Sequence, residues 1–175
     1  MLKMNSKFTL LFALLFCFQI QSQETKKQFP NDFVGIYKGE LKYETPNGIA
    51  TIPMEFHLKK ADTTKTYDYW LVYDGKPREY SLIILNEKRG TCKVDENNGI
   101  VLPARYYENT LYSWFEVGGN KLTSRLQFEG DTLFFEIIFS ALKNKTTTGG
   151  TSKEIPKVYG YPISSVQKAV LKKTD

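Results

Sequence analysis

Over residues 51–59 the chain alternates with period two. Ile52, Met54, Phe56 and Leu58 fall on one side, and Thr51, Glu55, His57 and Lys59 on the other. Residues 121–128 repeat the pattern, with Leu122, Ser124, Leu126 and Phe128 against Thr123, Arg125 and Gln127. Successive side chains of a strand point to opposite faces, so this is the signature of half-buried strands. Turn signals separate such runs: Asn47-Gly48, Asp74-Gly75, Asn98-Gly99, Gly118-Gly119 and Gly130-Asp131. The strands expected are 33–44, 49–59, 67–73, 79–85, 91–94, 100–107, 111–117, 121–128 and 132–139. The sixth is weakened by Pro103, which cannot donate to a central ladder. Residues 158–173 read two ways. Val166, Ala169, Val170 and Lys173 share a helix face with Ser164 or Ser165 as cap, or the stretch is a last strand that closes the sheet; the strand is preferred. No long helix is expected. Nine or ten short strands in series predict an all-β fold, either an antiparallel up-and-down meander barrel or a two-sheet β-sandwich. Closure would remove the edges that aromatic strands otherwise leave open to pairing.

The first residues follow a different rule. Residues 1–7 carry Lys3 and Lys7 and no acid, residues 8–20 are apolar except for Thr9 and Gln19, and Gln21, Ser22 and Gln23 follow. A basic start, a short apolar run and a polar exit predict a signal peptide over 1–22, cut after Ser22. The run is shorter than the roughly 20 apolar residues of a membrane-spanning helix. Residues 23–31 then read as a flexible lead-in and 32–175 as one domain. Within it, residues 143–157 include Thr146-Thr147-Thr148-Gly149-Gly150-Thr151-Ser152 and almost nothing apolar, which predicts a mobile loop. The expected location is outside the cytoplasm, periplasmic or extracellular.

Composition removes several classes of function. The net charge of +5 falls to +3 when Lys3 and Lys7 leave with the leader. The remaining charges are scattered, whereas nucleic-acid binding wants a basic stripe. Cys92 is then the one cysteine left, so an internal disulfide is not expected, and it reads as a small buried residue. His57 is the single histidine and falls on the polar side of its strand, away from any sheltered nucleophile or haem pocket. No cofactor, metal set or catalytic set is expected. One enzymatic reading stays open. Glu116 alternates with Tyr112 and Trp114, and Glu136 with Phe134 and Ile138; two acids brought together in a cavity could serve glycoside hydrolysis. The opposite faces of both strands are more apolar, which favours Glu116 and Glu136 facing water.

The first strand reads Phe33-Val34-Gly35-Ile36-Tyr37-Lys38-Gly39-Glu40. It resembles the opening strand of lipocalin-like (calycin) barrels, where a Gly-x-Trp-x-Gly type motif begins the barrel; Tyr37 stands at the tryptophan position. The resemblance implies a meander barrel whose interior holds a small, mostly apolar ligand. The alternative is that Gly35 and Gly39 relieve crowding on a bent strand, with no ligand involved.

All 11 tyrosines lie beyond the leader. A phenol joins an apolar ring to a polar tip, which suits a partly wet cavity or a binding face. The ligand-binding candidates are Tyr37, Tyr67, Tyr69, Tyr73 and Trp114. Two partners are expected as alternatives: a small apolar or amphipathic ligand inside a barrel, with 143–157 gating its mouth, or an envelope protein meeting a cavity-less module through its tyrosine-rich strands. Neither nucleic acid nor a membrane span beyond the leader is expected. Sequencing of the exported protein from its N-terminus should begin at Gln23; a chain that still starts at Met1 removes the cleavable leader.

Overall fold

The computed structural model describes residues 27–174. The expected leader, 1–22, and the start of the expected lead-in, 23–26, lie outside the described residues. The strands are β1 (Gly35–Thr45), β2 (Gly48–Lys60), β3 (Thr66–Tyr73), β4 (Lys76–Asn86), β5 (Thr91–Asp95), β6 (Val101–Tyr107), β7 (Thr110–Val117), β8 (Asn120–Glu129), β9 (Thr132–Ala141), β10 (Thr146–Thr148), β11 (Val158–Gly160) and β12 (Ser165–Lys173). Ten of them close into an antiparallel barrel in the order β1-β12-β9-β8-β7-β6-β5-β4-β3-β2. The meander barrel is the architecture found, and the sandwich is not. Tight turns of the expected kind drive the meander. At Gly118 and Gly119 both residues sit at positive φ, 56° and 76°, which matches the twist of the flanking strands.

The tail is a strand. β12 pairs with β9 from Ser165↔Phe139 to Lys172↔Thr132 and with β1 from Tyr43↔Gln167 to Tyr37↔Lys173. Ala169 and Leu171 point inward and are buried, while Val170 faces out. The helical spacing of Val166, Ala169 and Val170 loses to two ladders that satisfy the edges of β1 and β9 at once.

The stretch expected as a mobile loop is partly ordered. β10 and β11 pair as a short ribbon through Thr146↔Gly160, Thr147↔Tyr159 and Thr148↔Val158. Threonine is β-branched and pairs well without an apolar core, so low apolar content misleads here. Between the ribbon strands the Gly150 amide donates to the Ile155 carbonyl at 3.0 Å.

The lead-in is anchored at its end. Residues Asn31–Phe33 form one turn of 3-10 helix that caps one end of the barrel. Phe29 stacks on Tyr106 with centroids 4.1 Å apart, and Phe33 lies 4.7 Å from Phe128. The Tyr37 hydroxyl donates to the Phe33 carbonyl at 2.9 Å, and the Tyr67 hydroxyl donates to Asn31 Oδ1 at 2.9 Å. Burying Phe33 contributes roughly 1.5–3 kcal/mol and half-buried Phe29 adds to it, which holds a segment that composition alone reads as free.

Gly39 faces inward where β1 meets β12. A Cβ there would collide with the Val170 carbonyl oxygen of the neighbouring backbone. The close approach of two backbones requires glycine at this position, as the crowding alternative anticipated. Gly39→Ala should cost about 1–3 kcal/mol, because strand β12 must move to admit the methyl. Urea unfolding checks this: an unchanged midpoint would mean the two strands are not in close contact.

Candidate functional site

The inward positions are large at one end and small at the other. At the capped end Phe33, Tyr37, Phe56 and Phe128 fill the barrel, all about 1% exposed. Toward the opposite end, three neighbouring strands carry small inward side chains side by side: Ala104 is level with Ser113, and Ser113 with Ser124. The same alternation that packs one half therefore leaves the other half hollow. The result is a cavity of about 800 Å³. Its walls are mostly apolar, with Leu41, Leu71, Leu111, Leu122, Phe135 and Ile137 prominent.

Polar groups are few and concentrated. Tyr69, Tyr73 and Tyr80 line one wall, and Arg78, Glu96 and Glu116 also border the cavity. The rings of Tyr69 and Tyr80 lie nearly parallel, at 17° and 6.5 Å. The Arg78 guanidinium sits over the Tyr73 ring at 5.4 Å. Among the described residues, neither the three phenol oxygens nor the Arg78 side chain has a hydrogen-bond or carboxylate partner. Burial pushes the Tyr73 hydroxyl up to about 12, against the opposing pull of Arg78, and pushes Tyr69 up further. Both phenols thus stay neutral donors over the whole physiological range.

Of the sequence candidates, Tyr69 and Tyr73 meet at this wall. Tyr37 and Tyr67 do not; they tie the 3-10 turn to the barrel at the packed end. Trp114 lies outside. With Ser113 and Phe115 pointing in, the phase of β7 turns Trp114 out, where it is 64% exposed. There Lys121 Nζ lies between two rings, 4.6 Å from Trp114 and 3.9 Å from Tyr161. That contact pins the β9–β12 connection to the barrel's outer surface. No residue of 142–164 lines the cavity.

The two acids do not form a pair inside. Glu136 faces outward and binds Lys168 at 2.8 Å, while Glu116 stands at the cavity rim. Cys92 is buried, and desolvation pushes its thiol up to about 11. His57 lies on the outer side of β2, as its phase predicts, but it is not free in solvent. Its Nε2 meets Glu55 Oε2 at 2.7 Å and its ring stacks on Trp70 at 5.9 Å. His57 and Lys38, the latter 3.0 Å away, hold the Glu55 carboxyl below the usual carboxylate range. Among the described residues, no group of three or more His, Cys, Asp or Glu is placed to hold a metal ion, and no helix is long and apolar enough to cross a membrane.

Sequence reading overlooked Arg78 and Tyr80 on the wall. It also gave no weight to Ala104, Ser113 and Ser124, although small residues at inward positions of an aromatic-rich barrel are a readable sign of unfilled space. No protein-family model matches the chain, and no curated protein matches it. Among solved structures, the S-type phycobiliprotein lyase of Guillardia theta is similar at 9% identity, with a TM-score of 0.48 over 81% of this chain and 88% of that one.

The raised tyrosines make stability depend on alkaline pH. Phenols in an unfolded chain ionise near pH 10, and Tyr73 in the fold near 12. The folded value lies above the unfolded one, so its stabilising effect is complete below about pH 10 and is lost as pH rises toward 12. The urea midpoint should fall across that window, and Tyr73→Phe should flatten the fall. An equal slope in the variant would place the Tyr73 hydroxyl in water.

Proposed function

We propose that this protein binds and carries a small apolar or amphipathic molecule without transforming it, and that it does so outside the cytoplasm. The observation that carries the reading is the cavity: about 800 Å³, walled mainly by apolar side chains, in a barrel whose other end is packed solid. Sites for small molecules span roughly 300–1,000 Å³ and combine an apolar wall with a few converging polar groups. Both features are present. Empty apolar space forfeits dispersion contacts that a bound chain would supply. The unpartnered hydroxyls of Tyr69, Tyr73 and Tyr80, with Arg78, offer donors to the ligand's polar end. The likeness of Gly35-Ile36-Tyr37-Lys38-Gly39 to the opening of lipocalin-like barrels supports the same reading. The basic start and apolar run of 1–22 support export.

Native mass spectrometry of residues 23–175, taken from the natural envelope fraction before and after organic extraction, tests the proposal. A discrete extra mass lost on extraction is the expected result. A bare chain in both states turns attention to capture of an envelope protein partner. Ser124→Trp places an indole in the cavity. It should abolish binding of dodecanoate carrying a nitrobenzoxadiazole fluorophore while unfolding stays cooperative. Undiminished binding by that variant would move the ligand elsewhere.

A further inference from the structure

The net charge of the chain sits in one place. Without Lys3 and Lys7, 22 of the 24 Lys and Arg remain, against 19 Asp and Glu. Residues 142–164, the connection between β9 and β12, hold four of those cations, Lys143, Lys145, Lys153 and Lys157, and one of the acids, Glu154. The rest is balanced, 18 against 18, so the whole excess of +3 belongs to this segment. None of the four lysines has a carboxylate partner among the described residues. Glu154 accepts a hydrogen bond from the Ser152 hydroxyl at 2.7 Å.

The same segment carries large apolar side chains that nothing covers. Every residue from Lys143 to Tyr159 is exposed. β10 and β11 form a sheet of their own, three pairs long, with which no strand of the barrel pairs. A strand pair this short gains little in water without a surface to pack on. Ile155, Val158, Tyr159 and Ile163 are nonetheless exposed, Ile163 to 64%. Lys145 Nζ lies 4.6 Å from the Tyr159 ring. Exposed Trp114 borders the segment through Lys121, which it shares with Tyr161. The chain enters the segment shortly after Phe139 and leaves it shortly before Gln167, and both of these line the cavity. The segment therefore belongs to the hollow end of the barrel.

We propose that residues 142–164 dock on an anionic phospholipid surface, with the lysines over the acidic headgroups and Ile155, Tyr159 and Trp114 in the interface. Lysine is drawn to a negatively charged leaflet, and Trp and Tyr settle at headgroup depth because each joins an apolar ring to a polar edge. A lipid interface accepts projecting side chains without matching their shape. A stable protein partner needs roughly 800 Å² of complementary surface on each side, more than a ribbon of three pairs presents. Docking of this kind goes beyond the binding reading and does not depend on it.

Sedimentation of residues 23–175 with lipid vesicles tests this. Phosphatidylcholine vesicles carrying about 30% phosphatidylglycerol should bring the protein down at low salt, pure phosphatidylcholine should not, and about 0.5 M NaCl should release it. Each of the four lysines changed to glutamine should weaken binding about fivefold. Ile155→Ser with Tyr159→Ser should weaken it at every salt concentration. In a Trp70→Phe background Trp114 is the one tryptophan left, and its emission should shift to the blue on the anionic vesicles alone. The segment side chains changed here are all exposed, so the urea midpoint should stay at the wild-type value. No sedimentation with the anionic vesicles overturns the proposal. Wild-type affinity in the chain with all four lysines changed overturns it as well. A self-associating chain that Ile155→Ser with Tyr159→Ser disperses overturns it in favour of a second copy. Vesicle binding without uptake of the fluorescent dodecanoate leaves the docking surface standing and removes the carrier, and uptake without vesicle binding does the reverse.

Discussion

Everything in this fold depends on the ladder between β1 and β12. The meander alone would leave β1 and β9 with free backbone donors and acceptors and an open aromatic face. Seven residue pairs, from Tyr43↔Gln167 to Tyr37↔Lys173, turn that open sheet into a tube. Closure forces the two backbones close together at Gly39, where no side chain fits. It also sets an inside and an outside for every other strand, which is what makes inward side-chain size meaningful.

Inside the tube, one rule produces two materials. Inward aromatics at the capped end interlock: Tyr37, Phe56 and Phe128 make edge and tilted contacts at 5.9–6.3 Å. Inward Ala104, Ser113 and Ser124 at the other end cannot span the same diameter, so space remains. The packed end supplies the cohesion and thereby lets the open end stay empty without collapse. The tyrosines divide along the same line. Tyr37 and Tyr67 spend their hydroxyls on the backbone and on Asn31, while Tyr69 and Tyr73 keep theirs for the cavity.

Strand identity was legible because it is local: the period of two over 51–59 and 121–128 needs no knowledge of neighbours. Closure was legible only as a preference, since Val166, Ala169, Val170 and Lys173 also fit one face of a helix. The ribbon at Thr146–Thr148 was misread because backbone pairing does not require apolar content. Trp114 shows a different failure. Its chemistry suggested a binding role, but its phase, one residue from Ser113 and Phe115, already placed it outside. Arg78 could not be found from the sequence, because its place beside Tyr73 depends on the register between β3 and β4. Pro103 was marked as a weak ladder position; it keeps its pairing with Lys93 in β5, and the pairing with β7 ends one residue short of it, at Ala104↔Ser113.

The closing ladder also has a consequence in time. It joins Tyr37 to Lys173, so the strand that completes the tube is the last of the ten to leave the ribosome. Nine strands can pair with neighbours already delivered, but the native inside cannot exist until the tenth arrives. Contacts of such long sequence separation slow folding. A chain built this way keeps its interior open until synthesis of the barrel is complete, and only then sets.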